Sequence, residues 1–258
     1  MPTAKINAVN LYYEVHGEGP AVIFLHGSGG NHAIWWQQVR YFSRHYQAVT
    51  LDLRGFGNSD SGAGDGPDAL AFPADVIGIM DHLKIEKAAV VAQSLGATAC
   101  LRLAVAHPNR ISAVVLAASA GSMDHAGLAD STAVDRKKAD ELAVLDRLMS
   151  PDFQQRQPDL TWLFQQIGTF NAASQGTVQN VTKRGPRPQE VAASKVPVLF
   201  LVGDRDAVLS LKTMQLAQRL VEGSTLTVVP DAPHSLYWEI PSVFNCLVDQ
   251  FLKSKGIR

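Results

Sequence analysis

The chain has 258 residues, 46% of them hydrophobic and 18% charged, with a formal net charge of -1. That balance gives no electrostatic reason to expect nucleic acid or an anionic membrane as partner. It fits a soluble globular enzyme of one domain with a sizeable buried core. The N-terminal Met1-Pro2-Thr3-Ala4-Lys5-Ile6-Asn7 has no apolar stretch that reads as a secretion signal. No apolar run approaches the roughly 18 residues needed to span a bilayer. A cytoplasmic location is expected. Cys100 and Cys246 lie in separate helical segments, and the eight histidines are scattered. Two buried free thiols are therefore expected, with no metal site.

Strand-like runs are predicted at 10–15, 21–25, 48–51, 88–92, 113–117, 198–202 and 225–229. Several are apolar throughout, which indicates strands covered on both faces. The run at 21–25 ends in the glycine-rich turn His26-Gly27-Ser28-Gly29-Gly30, and Trp35 and Trp36 begin the helix beyond it. The run at 48–51 ends in Asp52-Leu53-Arg54-Gly55-Phe56-Gly57, whose Asp and Arg are expected to fix neighbouring loops. At 88–92 the chain runs into Gln93-Ser94-Leu95-Gly96, and Leu95, Ala99, Leu103 and Ala106 then repeat as in a tightly packed helix. A strand that turns sharply into a helix lifts the serine hydroxyl out at the sheet's edge. A serine hydroxyl is inert near neutrality unless a neighbouring base removes its proton.

The alternation then breaks. From about Gly121 to Gly185 there is helical patterning between breakers and no convincing strand. The stretch 135–149 is amphipathic, with Arg136, Lys137, Asp140 and Glu141 read as a solvated face. Leu160, Leu163, Phe164 and Ile167 have helical spacing, so one apolar face is expected there, with Trp162 beside it. After 198–202 come two carboxylates in Gly203-Asp204-Arg205-Asp206, and after 225–229 a histidine in Pro230-Asp231-Ala232-Pro233-His234. Histidine accepts and returns protons near neutrality, which suits a general base. Pro241 opens and Gly256 closes a last amphipathic helix. Alternating strands and helices indicate an α/β fold with a mostly parallel, doubly wound sheet and helices on both faces.

With these motifs in the order Ser, Asp, His, the chain resembles the α/β-hydrolase superfamily of esterases, lactonases and carbon–carbon hydrolases. The resemblance runs from about residue 6 to 255; Ala92 stands where the family's elbow has glycine, adding one methyl group. It implies an α/β-hydrolase core of 1–120 and 188–258, with 121–187 as a helical cap over the site. It implies Ser94 as nucleophile and His234 as base. Asp204 and Asp206 compete as orienting acid, and the family's Gly-x-x-Asp pattern places the acid at Asp206. The backbone N–H groups of Ser28 and Leu95 would form the oxyanion hole. Trp35, Trp36, Trp162 and Phe164 are candidate substrate contacts.

The implied activity is a cofactor-independent serine hydrolase that cleaves a small, largely apolar carboxylic ester or lactone through an acyl-enzyme. Cleavage of a carbon–carbon bond, amide or thioester by the same triad is an alternative, and a ligand sensor with slow or no turnover is another. Serine at the elbow argues against haloalkane dehalogenases and epoxide hydrolases, which would require aspartate there. The expected partner is a small-molecule substrate, with neither nucleic acid nor membrane, and oligomeric state is left open. Lys183, Arg184 and Arg187 would suit a substrate carboxylate, although a solvated hinge is the simpler reading.

Overall fold

The computed structural model describes residues 2–62, 66–173, 177–183 and 185–258. Its sheet has the strand order β1-β2-β4-β3-β5-β6-β7-β8. The strands are β1 (Thr3–Ile6), β2 (Val9–His16), β3 (Ala21–Leu25), β4 (Gln47–Leu51), β5 (Ala88–Gln93), β6 (Ile111–Ala117), β7 (Val198–Gly203) and β8 (Thr225–Val229). β2 pairs antiparallel with both β1 and β4, and every pair from β4 to β8 is parallel. All seven predicted strands are present. β1 is additional: its Thr3 and Lys5 are exposed, so the edge strand lacks the apolar run that marks the others.

Period-2 alternation divides the core in two. Ile23, Leu25, Val90, Ala92, Leu116 and Phe200 face one layer, which holds α2 (Phe72–His82), α3 (Ala97–Ala106), α8 (Pro188–Ala193) and α9 (Leu211–Leu220). Val22, Phe24, Val91, Val115, Leu199 and Leu201 face the other, which holds α1 (Trp36–Phe42), α10 (Leu236–Glu239) and α11 (Pro241–Ser254). Burial on both faces is why these strands carry no polar alternation.

Between β6 and α8 the described residues make four further helices: α4 (Ala126–Ala139), α5 (Val144–Leu148), α6 (Pro151–Arg156) and α7 (Pro158–Thr169). The amphipathic stretch 135–149 is not one helix. Asp135 accepts hydrogen bonds from Ser210 N and Oγ at the start of α9, while Met149 is buried in the opposite layer among α10 residues. Two anchors on different layers override the local pattern, and the chain turns between them at residues 140–143. Cys100 is buried and Cys246 is exposed, both free, so the expectation of two buried thiols holds only for Cys100. Burial pushes the Cys100 thiol well above its ordinary range. No helix among the described residues is long and apolar enough to cross a membrane.

Buried polar contacts fix the loops at the carboxyl edge of the sheet. Asp52, with no exposed surface, accepts from the His32 and Asn58 N–H groups at 2.5 and 2.8 Å. Arg54 forms a two-point ion pair with Asp75 of α2, at 2.6 and 2.5 Å. His26, also without exposed surface, lies 2.7 Å from Gly27 O through Nδ1 and 3.1 Å from Leu53 N through Nε2. A carbonyl only accepts and an amide N–H only donates, so His26 is neutral with its proton on Nδ1. Burial pushes its pKa below the ordinary histidine value, against an opposing pull from Asp52.

The unfolded chain takes up a proton at His26 near pH 6.5, whereas the folded chain does so only at lower pH. The stability contributed by neutral His26 is therefore complete above about pH 6.5 and is lost as pH falls below it. His26→Leu leaves the Leu53 N–H unpaired and lowers the urea-unfolding free energy at pH 8 by roughly 1–3 kcal/mol. The gap between wild type and variant narrows at pH 5.5. A gap that widens on acidification contradicts the neutral assignment.

Candidate active site

Parallel strands bring the loops after β3, β5, β7 and β8 to one edge of the sheet, where α/β folds bind ligands. After β5 a single 3-10 turn, Ser94–Gly96, leads into α3. Ser94 has φ +47, a left-handed conformation that costs a side-chain-bearing residue on the order of 1 kcal/mol. The turn is wedged under the end of β3: a Cβ on Gly96 would lie 2.6 Å from His26 O and 2.7 Å from Leu25 O. Ala92 fits without exposed surface. Gln93, Leu95 and Gly96 are buried, while Ser94 stays partly exposed.

The loops after β7 and β8 meet as closely. A Cβ on Gly203 would lie 2.0 Å from Ala232 O, so only glycine admits that carbonyl. Asp204 accepts from Asp231 N at 2.7 Å and fixes the turn rather than reaching the histidine. Asp206 is the carboxylate that meets His234, with Nδ1 at 3.0 and 2.9 Å from its two oxygens. Asp206 Oδ1 also accepts from the N–H groups of Val208 and Leu209, at 2.8 and 2.9 Å. His234 is 2% and Asp206 9% exposed, so the pair is withdrawn from water. A carboxylate on Nδ1 puts the proton there and leaves Nε2 as the basic nitrogen. Among the described residues, neither the Ser94 hydroxyl nor His234 Nε2 has a hydrogen-bond partner.

Ser28 and Leu95 flank this edge. Gly30 N donates to Gly27 O at 3.1 Å, closing a turn with Ser28 and Gly29 at its centre. Neither the Ser28 nor the Leu95 N–H donates to another group among the described residues.

The aromatic candidates separate. Trp35 has no exposed surface and packs on Phe24, Tyr237 and Phe244, so it has none to offer a ligand. Trp162 is 62% exposed and takes no part in the apolar face of α7. That face is formed by Phe164 and Ile167, both buried, with Leu160 partly so; Leu163 is exposed. Phe164 meets Trp238 edge-on at 5.3 Å, and Trp36 meets the same ring at 6.4 Å. Arg187 is exposed and engaged by Glu190 at 2.7 Å, Lys183 is exposed, and Arg184 lies outside the described residues.

Several contacts at this edge were not read from the sequence. Glu239 accepts from Ser150 N and Oγ at 2.6 and 2.8 Å, and Ser235 N donates to Leu148 O at 2.9 Å. Burial raises the Glu239 pKa, with the Ser150 hydrogen bonds opposing. Asn31 Nδ2 donates to Ile167 O at 3.0 Å, and Asn171 bridges Gly30 O and Gly57 N at 3.1 and 2.9 Å. Asn31 and Ser150 left a local signal, as N-caps ahead of the 3-10 helix His32–Trp35 and of α6.

The alpha/beta hydrolase fold family matches residues 20–241. The 3-oxoadipate enol-lactonase 2 of Acinetobacter baylyi is 29% identical over 97% of this chain and 96% of its own length. An enol-lactonase structure from Burkholderia xenovorans superposes with a TM-score of 0.78 at 24% identity, over 98% of this chain and 100% of that one. A thermophilic esterase from Thermogutta terrifontis gives 0.82 at 21% identity, over 98% of each chain. At those identities the structural likeness speaks for the fold. A family match over most of the chain says more: this protein belongs to the α/β-hydrolase superfamily and is one of its hydrolases.

Proposed function

We propose that the protein is a cofactor-independent serine hydrolase that cleaves a small, largely apolar carboxylic ester or lactone through an acyl-enzyme. The reading is carried by the carboxylate-bound His234, set on the same sheet edge as a left-handed Ser94. Ser94 Oγ attacks the carbonyl carbon while His234 Nε2 takes its proton, and Asp206 stabilises the imidazolium through Nδ1–H. The N–H groups of Ser28 and Leu95 hold the oxyanion. Collapse expels the alkoxide, which receives the proton from His234. Water, deprotonated by His234, then releases the acyl group. In a lactone the expelled alkoxide stays joined to the acyl chain, and the steps are unchanged.

Residues 121–187 are read as a cap over this edge. The lactonase of Acinetobacter, aligned over nearly the whole chain, favours lactones within the ester class. Phe164 and Trp36 remain as proposed substrate contacts, through the rings that meet Trp238. The engagement of Arg187 by Glu190 favours an uncharged substrate over a carboxylate.

Ser94→Ala and His234→Ala each lower kcat/KM for p-nitrophenyl acetate by on the order of 10⁴-fold, and the double variant is little worse than either. A Ser94→Ala protein that keeps a tenth of wild-type activity contradicts the mechanism. Across p-nitrophenyl esters, each added methylene gains up to about 1 kcal/mol in transition-state binding until the pocket is full. A flat response, with strong preference for esters bearing a carboxylate, contradicts the apolar assignment.

A further inference from the structure

The segment Gly27-Ser28-Gly29-Gly30 is flexible by composition, because three of its four residues have no Cβ to restrict or pack them. An oxyanion donor has to be held to within a fraction of an ångström, so something other than side-chain packing must fix this turn. The Ser28 N–H belongs to the same planar peptide unit as the Gly27 carbonyl and points opposite to it. The direction of the donor is therefore set by whatever holds Gly27 O. Two groups do: His26 Nδ1 at 2.7 Å and Gly30 N at 3.1 Å. Gly30 is held in turn by its own carbonyl, which accepts from Asn171 Nδ2 at 3.1 Å.

Asn171 comes from beyond the C-terminal end of α7, 141 residues away from Gly30. Its Oδ1 accepts from Gly57 N at 2.9 Å, so the side chain is fixed from the opposite side as well. Asn31, 3% exposed, donates through Nδ2 to Ile167 O at 3.0 Å and lies 3.4 Å from Asn171 Oδ1. Its own Oδ1 accepts from Ala33 N at 3.1 Å. α7 runs so close that a Cβ on Gly168 would lie 3.0 Å from Gly29 O.

We propose that Asn171, seconded by Asn31, is a positioning residue for catalysis: it locks Gly30, and through Gly30 the orientation of the Ser28 N–H, to the end of α7. It rests on the reading of Ser28 as an oxyanion donor. Asn171 touches no reacting atom. Its loss loosens the donor in the transition state while leaving the substrate's ground-state contacts in place.

Asn171→Asp is nearly isosteric. It keeps the acceptor for Gly57 N–H but sets a carboxylate oxygen against Gly30 O, so the contact to the oxyanion turn is lost selectively. Asn171→Ala removes both contacts. Each variant lowers kcat for p-nitrophenyl acetate by roughly 10–100-fold, with KM within about threefold of wild type. Affinity for an alkyl trifluoromethyl ketone, which forms a tetrahedral adduct with the serine, falls by the same factor. Affinity for the matching methyl ketone is unchanged. Asn31→Asp keeps the cap on Ala33 and shows the same pattern at roughly 3–10-fold, which preserves the test if an Asn171 variant does not fold.

The proposal is overturned if the folded variants keep kcat within twofold of wild type, or if methyl-ketone affinity falls in step with that of the trifluoromethyl ketone. Absence of any ketone adduct in wild type overturns the serine-hydrolase reading itself, and the proposal with it. Adduct formation in wild type with unchanged variants overturns the proposal alone.

Discussion

The rest of the site depends on the close approach of two strand exits. β3 and β5 are hydrogen-bonded neighbours, and each must turn at the same edge without colliding with the other. The collision is avoided by a left-handed Ser94 and by a Gly96 whose missing side chain would strike the carbonyls of Leu25 and His26. A left-handed serine persists only where its surroundings over-determine it, and the paired, fully buried strands do so here. The strain has a use: it leaves the hydroxyl partly exposed at the edge while Gln93 and Leu95 stay buried on either side. The same exits carry the N–H groups of Ser28 and Leu95, which have no partner among the described residues. The proposed nucleophile and oxyanion donors thus follow from one packing constraint.

Three of the loops at this edge, those after β3, β7 and β8, are also bonded to the segment between β6 and α8. The loop after β3 is held through Asn31 and Asn171. The loop carrying Asp206 is held at Ser210, whose N–H and hydroxyl both donate to the buried Asp135 of α4. The loop carrying His234 is held by Ser235 on Leu148 O and by Glu239 on Ser150. Single hydrogen bonds of this kind contribute about 1 kcal/mol net, so none dominates folding. Their placement matters more than their sum. Each lands beside a proposed catalytic group, which makes the helical excursion part of the frame that holds the chemistry.

The parts legible in the sequence were those whose cause is local. Continuous apolar runs marked β3, β5 and β7 because both faces are covered. The turn residues Ser94 and Gly96, and the Asp206 and His234 that follow strands, announced themselves by their place after an apolar run. β1 escaped because an edge strand with exposed Thr3 and Lys5 has no such run. The break within the amphipathic stretch 135–149 left no mark, because it answers to anchors on different layers, which no window of sequence contains. Trp35 and Trp36 look alike in sequence, yet one has no exposed surface and the other is 42% exposed, since helix phase decides which ring enters the core. Asn171 was illegible for the same reason as Asp135. A polar residue that bonds a backbone 75 or 141 positions away leaves no periodicity behind.

The central claim is that Ser94 is made nucleophilic by the buried His234–Asp206 pair. Labelling with a fluorophosphonate, read by intact mass and peptide mapping, tests it most directly, because the reagent reacts with an activated serine and not with an ordinary one. Stoichiometric phosphonylation at Ser94, abolished in His234→Ala while the thermal midpoint stays near that of wild type, is the predicted result. A wild type that stays unlabelled, or one labelled equally in His234→Ala, would contradict the account.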